Sequence, residues 1–349
     1  MPGLQRRYEL DLAKALAIVA MIITHIGEEF SFEPYVGRPW FHLVAAPLFM
    51  FSMGVTMRYT SHNTAEDFAR RGVHLIFLGY ILNFFRSTIW LIFGKLFWGR
   101  EPWGILESFA TLDILHFAGL AFLTVALLRK LRCPEYGMLL ISLVMLVFAP
   151  MLDTHMEDMR IANYFQGFLW RAHGEACFPL MNWFVFPCLG ISFGKLLKWH
   201  VREYDRFYSI LLPSAAVLLV AAIFVLRGCG VDVFSYVFAI DKYYSMNLAS
   251  VSMHLLAILT IVALCFFAMK AIDGGFRDAI VYISRNLNNI YITQWILIES
   301  FYTIWLIATM HSFRVPVALA VPVGLAVSAA SVLIYRAIDL YLLKRYKGE

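Results

Sequence analysis

Asp11–His25, DLAKALAIVAMIITH, decides how this chain is read. The run is apolar enough and long enough to cross a bilayer, yet it holds an acid, a lysine and a histidine. At about 100° per residue, the 11 positions from Lys14 to His25 make three turns plus roughly 20°, so both side chains share one face about 16 Å apart. Asp11, three positions before Lys14, lies on the same side. Ionisable groups within a hydrophobic span are costly and mark candidate functional positions. The same groups also suit an anchor: Asp11 and Lys14 at one headgroup level, His25 near the other.

Composition agrees with a membrane. Of 349 residues, 61% are hydrophobic, 16% aromatic and only 15% charged, well outside soluble usage. Apolar runs of about 20 residues predict spans at 10–27, 39–58, 70–95, 108–128, 135–152, 176–197, 207–227, 243–269, 286–309 and 314–343. No cleavable signal pattern precedes the first. Two long loops stand out. GEEFSFEPYVGRPW joins the first two spans. DTHMEDMRIANYFQGFLWRAHGEA joins the fifth and sixth and, lacking periodicity, reads as a functional loop.

The bases orient the bundle. With the N-terminus cytoplasmic, 18 of the 29 lysines and arginines fall on inner segments. They are Arg6 and Arg7; Arg58, Arg70 and Arg71; Arg129, Lys130 and Arg132; Lys195, Lys198, Arg202 and Arg206; Lys270, Arg277 and Arg285; Lys344, Arg345 and Lys347. Eight fall on outer segments, which predicts ten helices with both termini inside. The net charge of +5 is thereby a topology signal, and nucleic acid is not expected as a partner. The five cysteines show no metal spacing. Cys177 and Cys229 fall near one predicted side, but an odd count and three cysteines in apolar runs argue against a disulfide framework.

Orientation assigns depth. Lys14 is on the cytoplasmic side and His25 near the outer face. Asp113 and His116, three apart in the fourth span, fall at about His25's depth, where a carboxylate could fix an imidazole tautomer for general-base chemistry. Polar contact with Ser or Asn on neighbouring helices is the equal alternative. Arg70 and Arg71 suit phosphate, though as inner anchors they need no ligand. Deeper in that span lie Asn83 and Arg86; the ninth span holds Gln294 and Glu299. His254, alone mid-span, reads as a packed, hydrogen-bonded residue. Motifs for zinc hydrolases, nucleotide hydrolysis and serine hydrolases are lacking.

Together these stretches resemble the transmembrane acyltransferases, the acyltransferase-3 proteins and the relatives of heparan-alpha-glucosaminide N-acetyltransferase. The family's first helix reads D-x-x-R-G-x-A, then an apolar run and a His. Here Asp11, Lys14, Ala15, Ala17 and His25 match in spacing, with Lys for Arg and Ala for Gly. A lysine keeps the charge but loses the bidentate fork. APLFMFSMGVTMRYTS, FARRGVHLIFLGYIL, LDILHFAGLAFLTVALL and FPLMNWFVFPCLGISFGKLL resemble later helices of the glucosaminide branch. ISRNLNNIYITQWILI resembles a late helix where many acyltransferase-3 members carry a His; this chain has Gln294.

The resemblance implies an all-α polytopic bundle in one domain, 1–349, of a cytoplasmic (inner) membrane, and an acyl-CoA-dependent O- or N-acyltransferase. A cytoplasmic acyl-CoA, expected to be acetyl-CoA, would meet Lys14, Arg70 and Arg71. His25 would act as base or acyl carrier, with His42 as its reserve, and Asp113 and His116 would orient His25 or the acceptor. Glu29, Trp40 and Asn182, with the aromatic outer loops, would contact a sugar or glycan acceptor, although an interfacial aromatic belt has the same composition. Membrane lipid is the surrounding partner, and a homo-oligomer is open. The rival reading is a transporter or flippase using buried His, Asp and Arg as a path; the two halves of the chain show no convincing repeat.

Overall fold

The computed structural model describes residues 6–30, 38–152, 160–172, 176–233 and 243–347. Almost all of them are helical: α1 Tyr8–Phe30, α2 Arg38–Tyr59, α3 Ala65–Asn83, a π-helical turn Phe84–Thr88, α4 Ile89–Trp98, α5 Ile105–Ala110, α6 Ile114–Lys130, α7 Glu135–Phe148, α8 Arg160–Leu169, α9 Leu180–Trp183, α10 Val185–Trp199, α11 Tyr204–Gly228, α12 Leu248–Ala271, α13 Gly274–Arg285, α14 Leu287–Thr309 and α15 Ala320–Lys347. Among the described residues, nine helices are long and apolar enough to cross a membrane, α3 through α4 counting as one of 34 residues.

The fourth expected span, 108–128, is shorter than the hydropathy suggested and is not among the nine. Asp113 caps α6, so the helix begins at Ile114 and has 17 residues, about 25 Å against a hydrocarbon core of about 30 Å. The loop between the fifth and sixth spans was expected to be irregular. It contains α8, whose polar sequence hides the helix from a hydropathy reading. Between α12 and α14, the stretch expected as a polar turn forms α13.

The chain divides into two compact units. The first comprises Met1–Ala45, Leu82–Phe109 and Cys265–Glu349. Its centre is α1, buried along most of its length. Ala15 meets Met269 and Ile280 at one end, and Ile23 meets Ala320 at the other. A Cβ on Gly324 would stand 2.8 Å from the Ile23 Cα, so only glycine lets α15 approach the α1 backbone this closely. At the N-terminal end of α1 Arg6 donates to Asp11 through Nε (2.6 Å) and a second guanidinium nitrogen (3.0 Å), and Ser284 Oγ donates to Asp11 at 2.5 Å. Asp11 therefore fastens α1 to α13.

The second unit comprises Ala46–Ile81 and Ala110–Leu264. Here α2 and α10 cross with their backbones nearly touching. A Cβ on Gly190 would come within 2.0 Å of the Phe51 carbonyl oxygen. Helix α11 follows the opposite logic, having the highest mean hydropathy, 2.6, and the least burial. Without a hydrophobic force between helices in lipid, the most apolar helix has no need to pack inward. None of the five cysteines forms a disulfide, so Cys177 and Cys229 are not joined.

Candidate active site

His25 is half-buried on α1, in a setting supplied almost entirely by the first unit's later helices. Its imidazole lies against the indole of Trp295, ring centres 4.0 Å apart and planes tilted by 32°. Its Nδ1 is 3.3 Å from Gln294 Oε1. An amide oxygen can only accept, so Nδ1 carries the proton in this contact and Nε2 is the basic nitrogen. Gln294 is fully buried and Trp295 nearly so.

Arg86 reaches the same indole, its guanidinium carbon 4.8 Å from the ring centre. Only 4% of Arg86 is exposed, and a cation so buried needs a ring face or an acid close by. The π-helical turn Phe84–Thr88 sets its direction. A wider turn misaligns backbone carbonyls, and here side chains take them up. Thr88 Oγ1 donates to the Asn83 carbonyl at 3.0 Å, five residues back, and Ser300 Oγ donates to the Arg86 carbonyl at 3.0 Å. Asn83 Nδ2 donates to the Phe109 carbonyl (2.8 Å), and Ser87 pairs with Ser108 (2.6 Å). Single π-turns inside long helices recur at functional sites, and this one delivers Arg86 to the His25–Trp295 stack.

One turn beyond His25 the site becomes acidic. Glu29 lies within electrostatic range of Glu299, Glu28 and Arg86. Glu28 Oε1 lies 3.0 Å from His42 Nε2, and His42 is fully buried. Both histidines weighed from sequence thus belong to the first unit, with His42 engaged by Glu28. Tyr302 is within range of Glu29 and Glu299 and stacks on Trp103, centres 6.2 Å apart at 21°. Lys14 is half-buried on α1. Trp40 lies on α2, but its side chain is outside the described residues, as are Phe32 and Tyr35 of the preceding loop. A cavity of about 760 Å³ between α4 and α14, lined by Trp90, Phe93, Phe97, Trp98 and Ile304, carries none of these polar groups. Its lining is the kind of surface lipid covers.

The remaining site residues read from sequence belong to the second unit. Asp113 and His116 form a helix cap: the Asp113 carboxylate accepts from Ile114 N–H at 2.5 Å, and His116 Nδ1 accepts from Asp113 N–H at 3.2 Å. The backbone thereby fixes His116 with its proton on Nε2. Tyr80 packs edge-on against this ring at 4.5 Å and shares a 2.5 Å hydroxyl contact with Tyr164. Asn182 is buried and donates to the Met246 carbonyl at 3.3 Å. Arg70 and Arg71 are exposed, and Arg71 lies over the Phe122 ring at 5.2 Å. His254, as its isolation implied, donates within its own helix to Ser250 at 2.7 Å.

Sequence reasoning singled out Gln294, Arg86 and Glu299 as costly polar groups without connecting them to His25. Trp295 carried no signal, being one of nine tryptophans in a chain rich in aromatics. Among the described residues no cluster of His, Cys, Asp and Glu could hold a metal ion.

No curated protein sequence gives a significant match to this chain. Residues 6–223 match a family described as heparan-alpha-glucosaminide N-acetyltransferase, catalytic. That stretch includes α1, the π-turn and the α6 cap but stops short of α14. By this match over more than half its length, the chain belongs to the heparan-alpha-glucosaminide N-acetyltransferase catalytic family.

Proposed function

We propose that this membrane protein transfers an acetyl group from cytoplasmic acetyl-CoA to a hydroxyl or amine of an extracytoplasmic sugar, with His25 as general base. The observation that carries the reading is the His25 setting: Nδ1–H directed at Gln294 and the ring face on Trp295, in a chain of an acetyltransferase family. With Nδ1 occupied, Nε2 can take the acceptor's proton as its oxygen or nitrogen attacks the thioester carbonyl carbon. Collapse breaks the carbon–sulfur bond, and the proton passes from Nε2 to the departing sulfur, returning His25 neutral.

The distribution of bases supports both termini in the cytoplasm, with Lys14 on the donor side of the helix face it shares with His25. Lys14, Arg70 and Arg71 would offset the donor's phosphate charge. On the outer side, Glu29 and Glu299 beside the Trp103–Tyr302 stack combine carboxylates with aromatic faces, a pairing suited to sugar hydroxyls and ring C–H groups. Trp40 would join them from α2. The cap contacts of Asp113 and His116 and the Met246 contact of Asn182 favour structural roles for these three.

The test is acetyl-CoA consumption and acceptor labelling by purified protein in liposomes. Parent activity with none in His25→Ala is the expected result. Movement of a sugar or proton without loss of thioester would favour the transporter reading instead.

A further inference from the structure

Two consecutive residues of α14 present buried donors beside His25. Gln294 has no exposed surface. Its Oε1 holds His25 Nδ1, while its Nε2 is buried with no hydrogen-bond partner among the described residues. Trp295 is 7% exposed, and its Nε1, too, is buried and unpartnered among them. A buried donor left unmade costs about 1–3 kcal/mol, and folded proteins keep few of them. Two such groups flank one imidazole, with the Arg86 cation against the same indole. That is donor-rich ground, with one cation on the indole, where an oxygen bearing negative charge would find hydrogen bonds.

We propose that Gln294 Nε2–H and Trp295 Nε1–H are the oxyanion donors of the acetyl transfer, receiving the thioester carbonyl oxygen as it becomes tetrahedral. The inference rests on the acetyltransferase reading given above and deepens it. As the acceptor atom bonds to the carbonyl carbon, the π pair moves onto the carbonyl oxygen and His25 Nε2 takes the acceptor's proton. The oxygen then sits as an anion until the C=O re-forms and the carbon–sulfur bond breaks. Donors already in place need no reorganisation at that moment, and each such donor is worth about 10²–10³ in rate. Gln294 would serve twice, its oxygen orienting the base and its nitrogen stabilising the anion. Both residues lie beyond the 6–223 match, so the family's matched portion supplies the base and α14 supplies the donors.

The experiment uses full-length protein in liposomes. Trp295→Phe keeps a ring for His25 but removes the N–H; Gln294→Glu keeps an oxygen for Nδ1–H but removes the amide donor. Each is expected to lower kcat by about 10²–10³-fold, with the KM for acetyl-CoA within about threefold. Trp295→Phe should leave the pH profile in place, whereas Gln294→Glu, which adds a charge beside the imidazole, should move its acid limb upward. A second readout needs no turnover. In a His25→Ala background, the infrared carbonyl stretch of bound ¹³C-acetyl-CoA should lie below its value in water, and adding Trp295→Phe should return it toward that value. Unchanged kcat in both variants, together with an unshifted carbonyl stretch, would mean that the donors hold water only and would overturn the proposal. If the parent protein consumes no acetyl-CoA, the acetyltransferase reading falls first; if His25→Ala transfers acetyl at the parent rate, the base assignment falls; both are distinguishable from failure of the donor proposal.

Discussion

His25 and His116 look alike in the sequence: each lies in an apolar run with a carboxylate near by. The structure gives them opposite employment. His116 is 1% exposed and its Nδ1 is committed to the backbone of its own helix start. Its neighbours, Tyr80 and Gly79, press on the ring. His25 meets no backbone group in its recorded contact at Nδ1; its partners there are side chains of a helix about 270 residues later. A histidine whose Nδ1 is held by a backbone N–H three residues away serves the local helix start. One held by long-range side chains, beside donors without partners among the described residues, is the one the proposed chemistry uses.

Four measurements would break or sharpen this contrast. The largest effect is expected at His25. His25→Gln should lower acetyl transfer by about 10²–10⁴-fold, the usual worth of a general base, while its melting temperature in detergent stays near the parent's. Retained transfer would end the contrast. Second, Gly79→Ala drives a methyl to 2.6 Å from His116 Cε1 and should cost about 1–3 kcal/mol by overpacking, read as a lower melting temperature with unchanged activity per folded molecule. Third, Asp113→Ala should cost about 1 kcal/mol through the lost cap, and Asp113→Asn, which keeps an acceptor, much less. Equal losses in the two would show that the charge, not the cap, matters.

The smallest effect is expected at the exposed Lys95–Glu101 pair, 2.7 Å apart. The hydrogen bond from Lys95 and that from the Ile105 backbone hold the Glu101 carboxyl below its ordinary value of 4.5. A depressed folded-state value means the contribution is present above the unfolded pKa and fades as pH falls through the lower folded one. Glu101→Gln should therefore leave stability at pH 7 almost unchanged, and its small deficit should vanish in acid. Thermal melts at pH 7 and pH 3 would show it.

Some of the site could be recovered from the sequence. Asp113-x-x-His116 before an apolar run has the spacing of a capping box, so the cap was visible in principle, although the depth argument pulled both residues toward catalysis. Arg86 was flagged by its cost, but the cost alone does not name the partner. The π-turn was invisible, because it is closed by Thr88 and braced by Ser300, and only the second of these lies on another helix.

By itself the sequence determined nine of the ten spans, their order and the distribution of bases, because hydropathy over about 20 residues is a local quantity. It also determined that Lys14 and His25 share a face, since helical geometry fixes that within one element. Tertiary structure alone decided which polar groups meet. Helices apolar on nearly every side carry little periodicity to say which face turns inward, so neither the meeting of α1 with α14 nor the crossing of Arg86 to Trp295 is written in any single segment. Those contacts depend on close backbone approaches such as Gly324 on Ile23 and on hydrogen bonds that exist only once distant helices pack. His25 acquires its partners through them.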